Sequence, residues 1–336
     1  MALRYANGFD DITLAALAYE GSITGTPTFQ TGVSGQCIRM TGAGAAFRRT
    51  VTPEGQVTLT LGFTAQWVAS PGTSGIFLNL GDQMVTHLNL FRNTDGTIAV
   101  RKGVTVLGTS TTVWSTSTWL HMQIQATIND TTGVVKIRFA GAGTDEIDFL
   151  GDTNNAGNNW LTWFQFIGAV NVDNGILFDN LWVNDTTGTD CTGFLGDRQV
   201  DHHLPDANGA NDDWAKSTGS DAYAVIDENP PNTADYLSTS TVNHKTTVSV
   251  EAFKNGGSDI DGFCICITAQ KNAAGSAALV AVTREGGVDS DHATNLYPPA
   301  AASWETHIVP YSLASGDAKK SAAGFNATEF GFKKVA

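Results

Sequence analysis

The run Asp145-Glu-Ile-Asp-Phe-Leu-Gly-Asp152 carries the carboxylates best spaced for catalysis. Glu146 and Asp148 stand two residues apart, so a strand brings them to one face. Retaining glycoside hydrolysis uses two carboxyls only about 5 Å apart, one attacking the sugar and one trading the proton. The next positions, Leu150 and Gly151, hold no acid, and Asp152 falls in the turn that follows. Without a proton donor that chemistry stops. The run therefore reads as a polar strand edge, the chain is expected not to be an enzyme, and no residue is assigned as catalytic.

Asp10, Asp11 and Asp179 offer hard oxygen ligands of the kind Ca2+ takes. Their plainer role is to accept backbone N–H groups at turns. No cofactor is expected, and a structural Ca2+ on these three is the alternative to that plainer role. His202 and His203 are adjacent, so on a strand they face opposite ways and do not readily share a metal. His87, His121, His244, His292 and His307 are scattered, and neither a Gly-x-Ser-x-Gly elbow nor a phosphate-cradling loop accompanies them. Trp160 follows Asn158 and Asn159 in a polar loop, and these three form the candidate ligand-binding set. Trp119 and Trp163 lie within alternating strands and belong to a core. Cys37, Cys191, Cys264 and Cys266 are expected as buried structural thiols, because a single Cys-x-Cys pair falls short of a zinc ligand set.

The elements that must position these residues are strands. From Trp119 to Ile128, Leu120, Met122, Ile124, Ala126 and Ile128 fall on one face, and His121, Gln123, Gln125 and Thr127 on the other. A polar turn ending in Gly133 leads to the apolar-alternating Val134–Phe139, so the whole is an antiparallel hairpin with one buried face. Ile176, Phe178, Asn180, Trp182 and Asn184 share a face on the same rule, with Leu177, Asp179, Leu181 and Val183 opposite. Similar runs recur over Gln36–Met40, Ala45–Val51, Gln56–Ser70, Ser74–Gly81, Val85–Arg92, Thr97–Lys102 and Leu161–Ala169. In the second half they recur over Tyr223–Ile226, Thr246–Phe253, Phe263–Gln270, Ala277–Arg284, Trp304–Tyr311 and Glu329–Val335. The fold class is all-β, with two antiparallel β-sandwich domains: residues 1–190, an irregular connector over 191–222, and a smaller sandwich over 223–336.

The chain has 336 residues and a net charge of −14 on only 15% charged residues. That acidity repels phosphate backbones and argues against nucleic-acid partners. Apolar runs fall short of the roughly 20 residues that span a bilayer, so no membrane partner is expected. The first residues lack the apolar core of a secretion signal, which points to synthesis in a cytoplasm.

The first domain resembles the concanavalin A-like, laminin-G type jelly roll. The resemblance rests on Asn7-Gly-Phe-Asp-Asp-Ile12, the hairpin from Ser117 to Gly133, the loop Gly151–Gly157 with Trp163–Gly168, and the closing Phe178–Val183. In that fold the first and last strands often run side by side, which implies that Asp10, Asp11 and Asp179 approach each other. Jelly-roll glycoside hydrolases carry a Glu-x-Asp-x-(x)-Glu strand. Glu146 and Asp148 match its first two positions and Leu150 or Gly151 the third, so the resemblance implies no acid/base here.

The junction and second domain are similar to segments of tailed-bacteriophage virion proteins: Gly193–Asp197, Trp214, Ser217–Gly219, Tyr223–Glu228, Asp235–Thr241 and Phe330–Lys333. This implies a structural or decorating component of a head, tail or fibre, made in the host bacterial cytoplasm. One domain would dock on other virion proteins and the other face solvent, in a homo-oligomer such as a trimer or a symmetric array. The alternative expectation is a carbohydrate-binding module for host-surface glycans. A glycoside hydrolase stands behind both.

Overall fold

The computed structural model describes residues 3–10, 13–42, 44–52, 54–68, 72–139, 143–168, 175–188, 191–253, 260–272, 275–299, 303–312 and 320–336. The chain divides into two compact units, Met1–Asp201 and His202–Ala336. Among the described residues no helix is long and apolar enough to cross a membrane.

The first unit opens with β1 (Leu3–Asn7), helix α1 (Leu14–Glu20), β2 (Ser22–Thr24), β3 (Thr28–Thr31), β4 (Gln36–Met40) and β5 (Ala46–Thr50). Longer strands follow: β6 (Thr58–Trp67), β7 (Gly75–Gly81), β8 (Thr86–Arg92), β9 (Thr97–Lys102) and β10 (Thr105–Val113). It continues through β11 (Trp119–Thr127), β12 (Gly133–Phe139), β13 (Ile147–Gly151), β14 (Trp163–Ile167) and β15 (Ile176–Asp185). The larger sheet runs β13-β12-β11-β6-β15-β4-β3, with β1 also on β15, and the smaller runs β10-β9-β8-β7-β14-β5-β2. Every pairing is antiparallel, and the unit is a two-sheet jelly roll.

Period-two patterning builds the space between the sheets. β6 sends Leu59, Leu61, Phe63, Ala65 and Trp67 inward, β11 sends Met122, Ile124 and Ala126, and all are buried. Phe47, Leu78, Leu80, Phe164 and Phe166 of the smaller sheet are buried as well. Phe63 meets Phe166 edge-on with centroids 5.1 Å apart, and Phe166 stacks on Phe178 at 4.0 Å. Each such side chain contributes about 1.5–3 kcal/mol of burial energy.

The closing strand departs from strict alternation. Asp179 lies opposite Thr64 and Trp182 opposite Gly62, so Asn180 and Leu181 together face only Phe63. This is a β-bulge with Asn180 in the left-handed region at φ 52°. It reverses the parity of the strand. Ile176 and Phe178 point into the core, but beyond the bulge Leu181 and Val183 do, and Trp182 and Asn184 turn to the outer face. Trp182 lies across Gly62, where a Cβ would come within 2.1 Å of the indole.

The second unit contains β16 (Pro205–Asp212), β17 (Ala215–Lys216), β18 (Leu237–Ser238), β19 (Lys245–Val250), β20 (Gly262–Ala269), β21 (Leu279–Glu285) and β22 (Val288–Asp291). It ends with β23 (Glu305–Ser312), α2 (Ala322–Asn326) and β24 (Glu329–Lys334). A sheet in the order β16-β19-β24-β21-β22 is covered by the β20–β23 pair, through Ile267, Ala269 and Val309 on Leu279 and Ala281. The result is a second, smaller sandwich.

Three expectations are corrected here. Residues 191–222 are not one irregular connector: 205–212 form an edge strand of the second unit, hidden in the sequence because its side chains are polar and mostly exposed. Tyr223–Ile226 is not a strand, because Tyr223–Val225 make a 3-10 turn capped by Asn208 Oδ1, which accepts from Ala222 N (2.7 Å) and Tyr223 N (3.2 Å). Of the four cysteines only Cys37 is fully buried. On β20 Ile265, Ile267 and Ala269 take the inward face, so Cys264 is half-buried and Cys266 exposed on the other.

Candidate ligand-binding site

The loop Asp152–Trp160, between β13 and β14, is tied down at each step. Thr153 is buried, its hydroxyl donating to Thr127 O (2.8 Å) and accepting from Asn129 N (3.0 Å). Asn154 closes the turn on itself, with Nδ2 donating to Gly157 O (3.1 Å) and Asn159 Oδ1 (2.8 Å). Asn155 N donates to His87 Nδ1 (3.2 Å), and Asn158 N donates to Asp82 Oδ2 (2.9 Å).

Asp82 is the anchor. It is fully buried, and its other oxygen accepts from Met84 N and Val85 N, both at 2.7 Å, so one carboxylate knots the β7–β8 turn to the loop. Burial works to raise its pKa, but the N–H donors of Val85, Asn158 and Met84 outweigh it and hold the carboxyl below its ordinary value. His87 is equally buried, with Nε2 3.7 Å from Asp82 Oδ2. Burial pulls its imidazole below the ordinary value, against the pull of Asp82. Neither Asp82 nor His87 stood out in the sequence. The signal available was an acid in the Gly81–Val85 turn, which says nothing of a partner 76 residues away.

The three residues singled out from the sequence sit at the tip of this loop. Asn158, Asn159 and Trp160 are all exposed, Trp160 by 40%. The Trp160 indole rests on Gly55, where a Cβ would come within 2.6 Å of the ring and the backbone is left-handed at φ 76°. Only glycine meets both conditions at low cost. The arrangement holds an aromatic plane outward, flanked by two amide side chains, on a loop fixed from beneath.

The acidic run elsewhere is engaged in structure. Glu146 accepts from Thr112 Oγ1 (2.6 Å), Thr111 Oγ1 (3.0 Å) and the two backbone N–H groups, and the Thr112 bond foremost holds its pKa low. Asp145 pairs with Arg138 (2.6 Å) and Lys136 (2.9 Å), Asp148 with Lys136 (3.4 Å), and Asp152 with Lys102. A general acid needs a raised pKa, and Glu146, Asp145 and Asp152 are all lowered.

Asp10 and Asp179 do come together, because β1 pairs with β15; Asp11 lies outside the described residues. Each anchors the Gly32–Gln36 turn. Asp179 accepts from Val33 N (2.8 Å), and Asp10 accepts from Gln36 N (2.6 Å). Burial pushes Asp179 up to about 6, aided by Asp10. Among the described residues no group of three or more His, Cys, Asp or Glu is arranged to hold a metal. His203 packs on Phe253, with Nδ1 3.0 Å from Glu251 O, within the second unit.

No family model and no curated protein matches the chain. Solved structures are similar to parts of the chain. An alginate lyase from Chlorella virus is 9% identical, with 54% of this chain and 100% of that one covered at a TM-score of 0.40. Domain 4 of the Geobacillus stearothermophilus arabinanase AbnA, in complex with arabinotriose, is 15% identical over 48% and 76% of the two chains, at 0.35. A Trypanosoma rangeli sialidase is 16% identical at 0.31 over 46% of this chain, which spans only 26% of the sialidase. The likeness is one of fold. The expectation that the chain is not an enzyme is not upheld: the structures named here are enzymes or a domain of one.

Proposed function

We propose that the first unit binds a glycan through the Asn158–Trp160 loop. The observation that carries this is the outward indole of Trp160, seated on Gly55 and flanked by two exposed asparagines. An indole face offers a flat apolar surface for the C–H face of a sugar ring, and amides supply donors and acceptors for its hydroxyls. The Asp82 and Thr153 anchors fix the loop before any ligand arrives, which lowers the ordering cost of binding. A glycan array with the intact chain tests the reading, followed by calorimetry on the best hit. Trp160→Ala should weaken that hit by about tenfold or more. A silent array would end it.

We also propose, on the resemblance of the residues alone, that the chain is carried on a tailed-phage particle. Many symmetric copies would there add avidity to a weak glycan contact. Antibody labelling of intact particles checks this, and a chain found only in the free lysate fraction would sink it.

A further inference from the structure

The outer face of the larger sheet is polar, yet it is buried. His121 and Gln123 on β11, Thr60 and Thr64 on β6, and Trp182 and Asn184 on β15 point away from the core, and each is at most 6% exposed. Residues 191–200, the last stretch of the first unit, lie against His121, Gln123 and Asn184 of this face. Gly196 N donates to Gln123 Oε1 (2.8 Å), Asn184 Nδ2 donates to Gly193 O (2.9 Å), and Asp197 Oδ1 lies 3.2 Å from His121 Nδ1. Arg138 stacks over Phe194 at 4.1 Å, and Val200 N donates to Asn180 Oδ1 (2.9 Å).

The cover fits poorly. Three buried atoms of the face have no hydrogen-bond partner among the described residues: His121 Nε2, Trp182 Nε1 and Asn184 Oδ1. Two offer nitrogen and one an accepting oxygen, and buried polar groups are ordinarily satisfied. The stretch itself has no fully buried residue, and Gly193 and Gly196 hold left-handed backbone at φ 67° and 83°. Its hydrogen bonds to Gln123, Asn184 and Asn180 each use a side chain of the sheet, and a hydroxyl group can replace them.

We propose that this face is a second binding site, for a neutral hydroxyl-bearing ligand of the saccharide class, and that residues 191–200 are a cover that lifts from it. The groups on the face are amides, hydroxyls, an indole and an imidazole, and the one carboxyl, Asp179 opposite Thr64, is already taken up by Val33 N. The nearby cations Lys136 and Arg138 are already paired with Asp145. A ligand with both donors and acceptors would take over the bonds now made by Gly193 and Gly196 and satisfy the three atoms left over. The closed cover reduces apparent affinity by the fraction of time the face is open.

The test uses the full chain carrying Trp160→Ala, which removes the loop site. Maltohexaose and cellohexaose serve as probes, and the indole N–H resonance of Trp182, assigned with Trp182→Phe, is the readout. Adding Phe194→Ser and Asp197→Asn loosens the cover. The expected result is a saccharide-dependent shift of that resonance, with binding tightened by about threefold or more over Trp160→Ala alone. In the unaltered chain, either saccharide should speed amide exchange across 191–200, a readout that does not depend on the loosened variant folding. An unmoved Trp182 resonance together with unchanged exchange for both saccharides would overturn the proposal while leaving the Trp160 loop untouched.

Discussion

At the scale of single residues, the molecule uses acids as fasteners. Asp82 and Asp179 each collect backbone N–H groups from a turn, and Glu146 collects two from strand β10. Asp179 does so at a cost, because burial raises it to about 6 from an ordinary 3.8. A raised carboxylate binds protons more tightly folded than unfolded. Its contribution is therefore fully present below about pH 4 and is lost as pH rises through about 6. At neutral pH the ionised form costs the fold about 3 kcal/mol. The stability gap between Asp179→Asn and the parent chain should move in the parent's favour by about that amount between roughly pH 7 and pH 4. Urea denaturation at each pH measures it, and taking the difference cancels the opposite contribution of the buried histidines. A flat gap would remove the assignment.

At the scale of elements, the bulge at Asn180 decides what the outer face contains. It turns Trp182 away from the core and onto Gly62. Gly62→Val should cost about 1–3 kcal/mol by overpacking and push the indole outward. A lowered denaturation midpoint with red-shifted fluorescence, absent when Trp182→Phe is also present, would show both effects. The hairpin β11–β12 was legible because apolar residues fall on every second position. β10 was not, since its Thr and Ser residues leave no such period. The bulge was invisible for a related reason: one left-handed asparagine shifts parity without altering the apolar content of the strand. The Asn158–Trp160 tip could be read as a polar run ending in an aromatic. Its anchor could not, because Asp82 and Asn158 meet only once the sheets have formed.

At the scale of the whole chain, the two units have separate cores, and the cover belongs to the first. A fragment ending at Asp201 should unfold cooperatively. One ending at 190 should unfold at lower denaturant, with Trp182 open to acrylamide quenching, because His121, Gln123 and Asn184 lose the stretch that buries them. Equal midpoints would argue that the cover adds nothing to the fold. The rim strand β13 bears on how copies behave when crowded. It ends the larger sheet, where an uncapped row of peptide groups invites another chain to zip on. Asp145, Glu146 and Asp148 crowd that margin with negative charge. Converting exposed Asp148 to an amide should leave the fold intact yet make concentrated solutions scatter light and turn cloudy. On that outcome, the run that matches a sugar-cleaving strand would serve as a fence between neighbours.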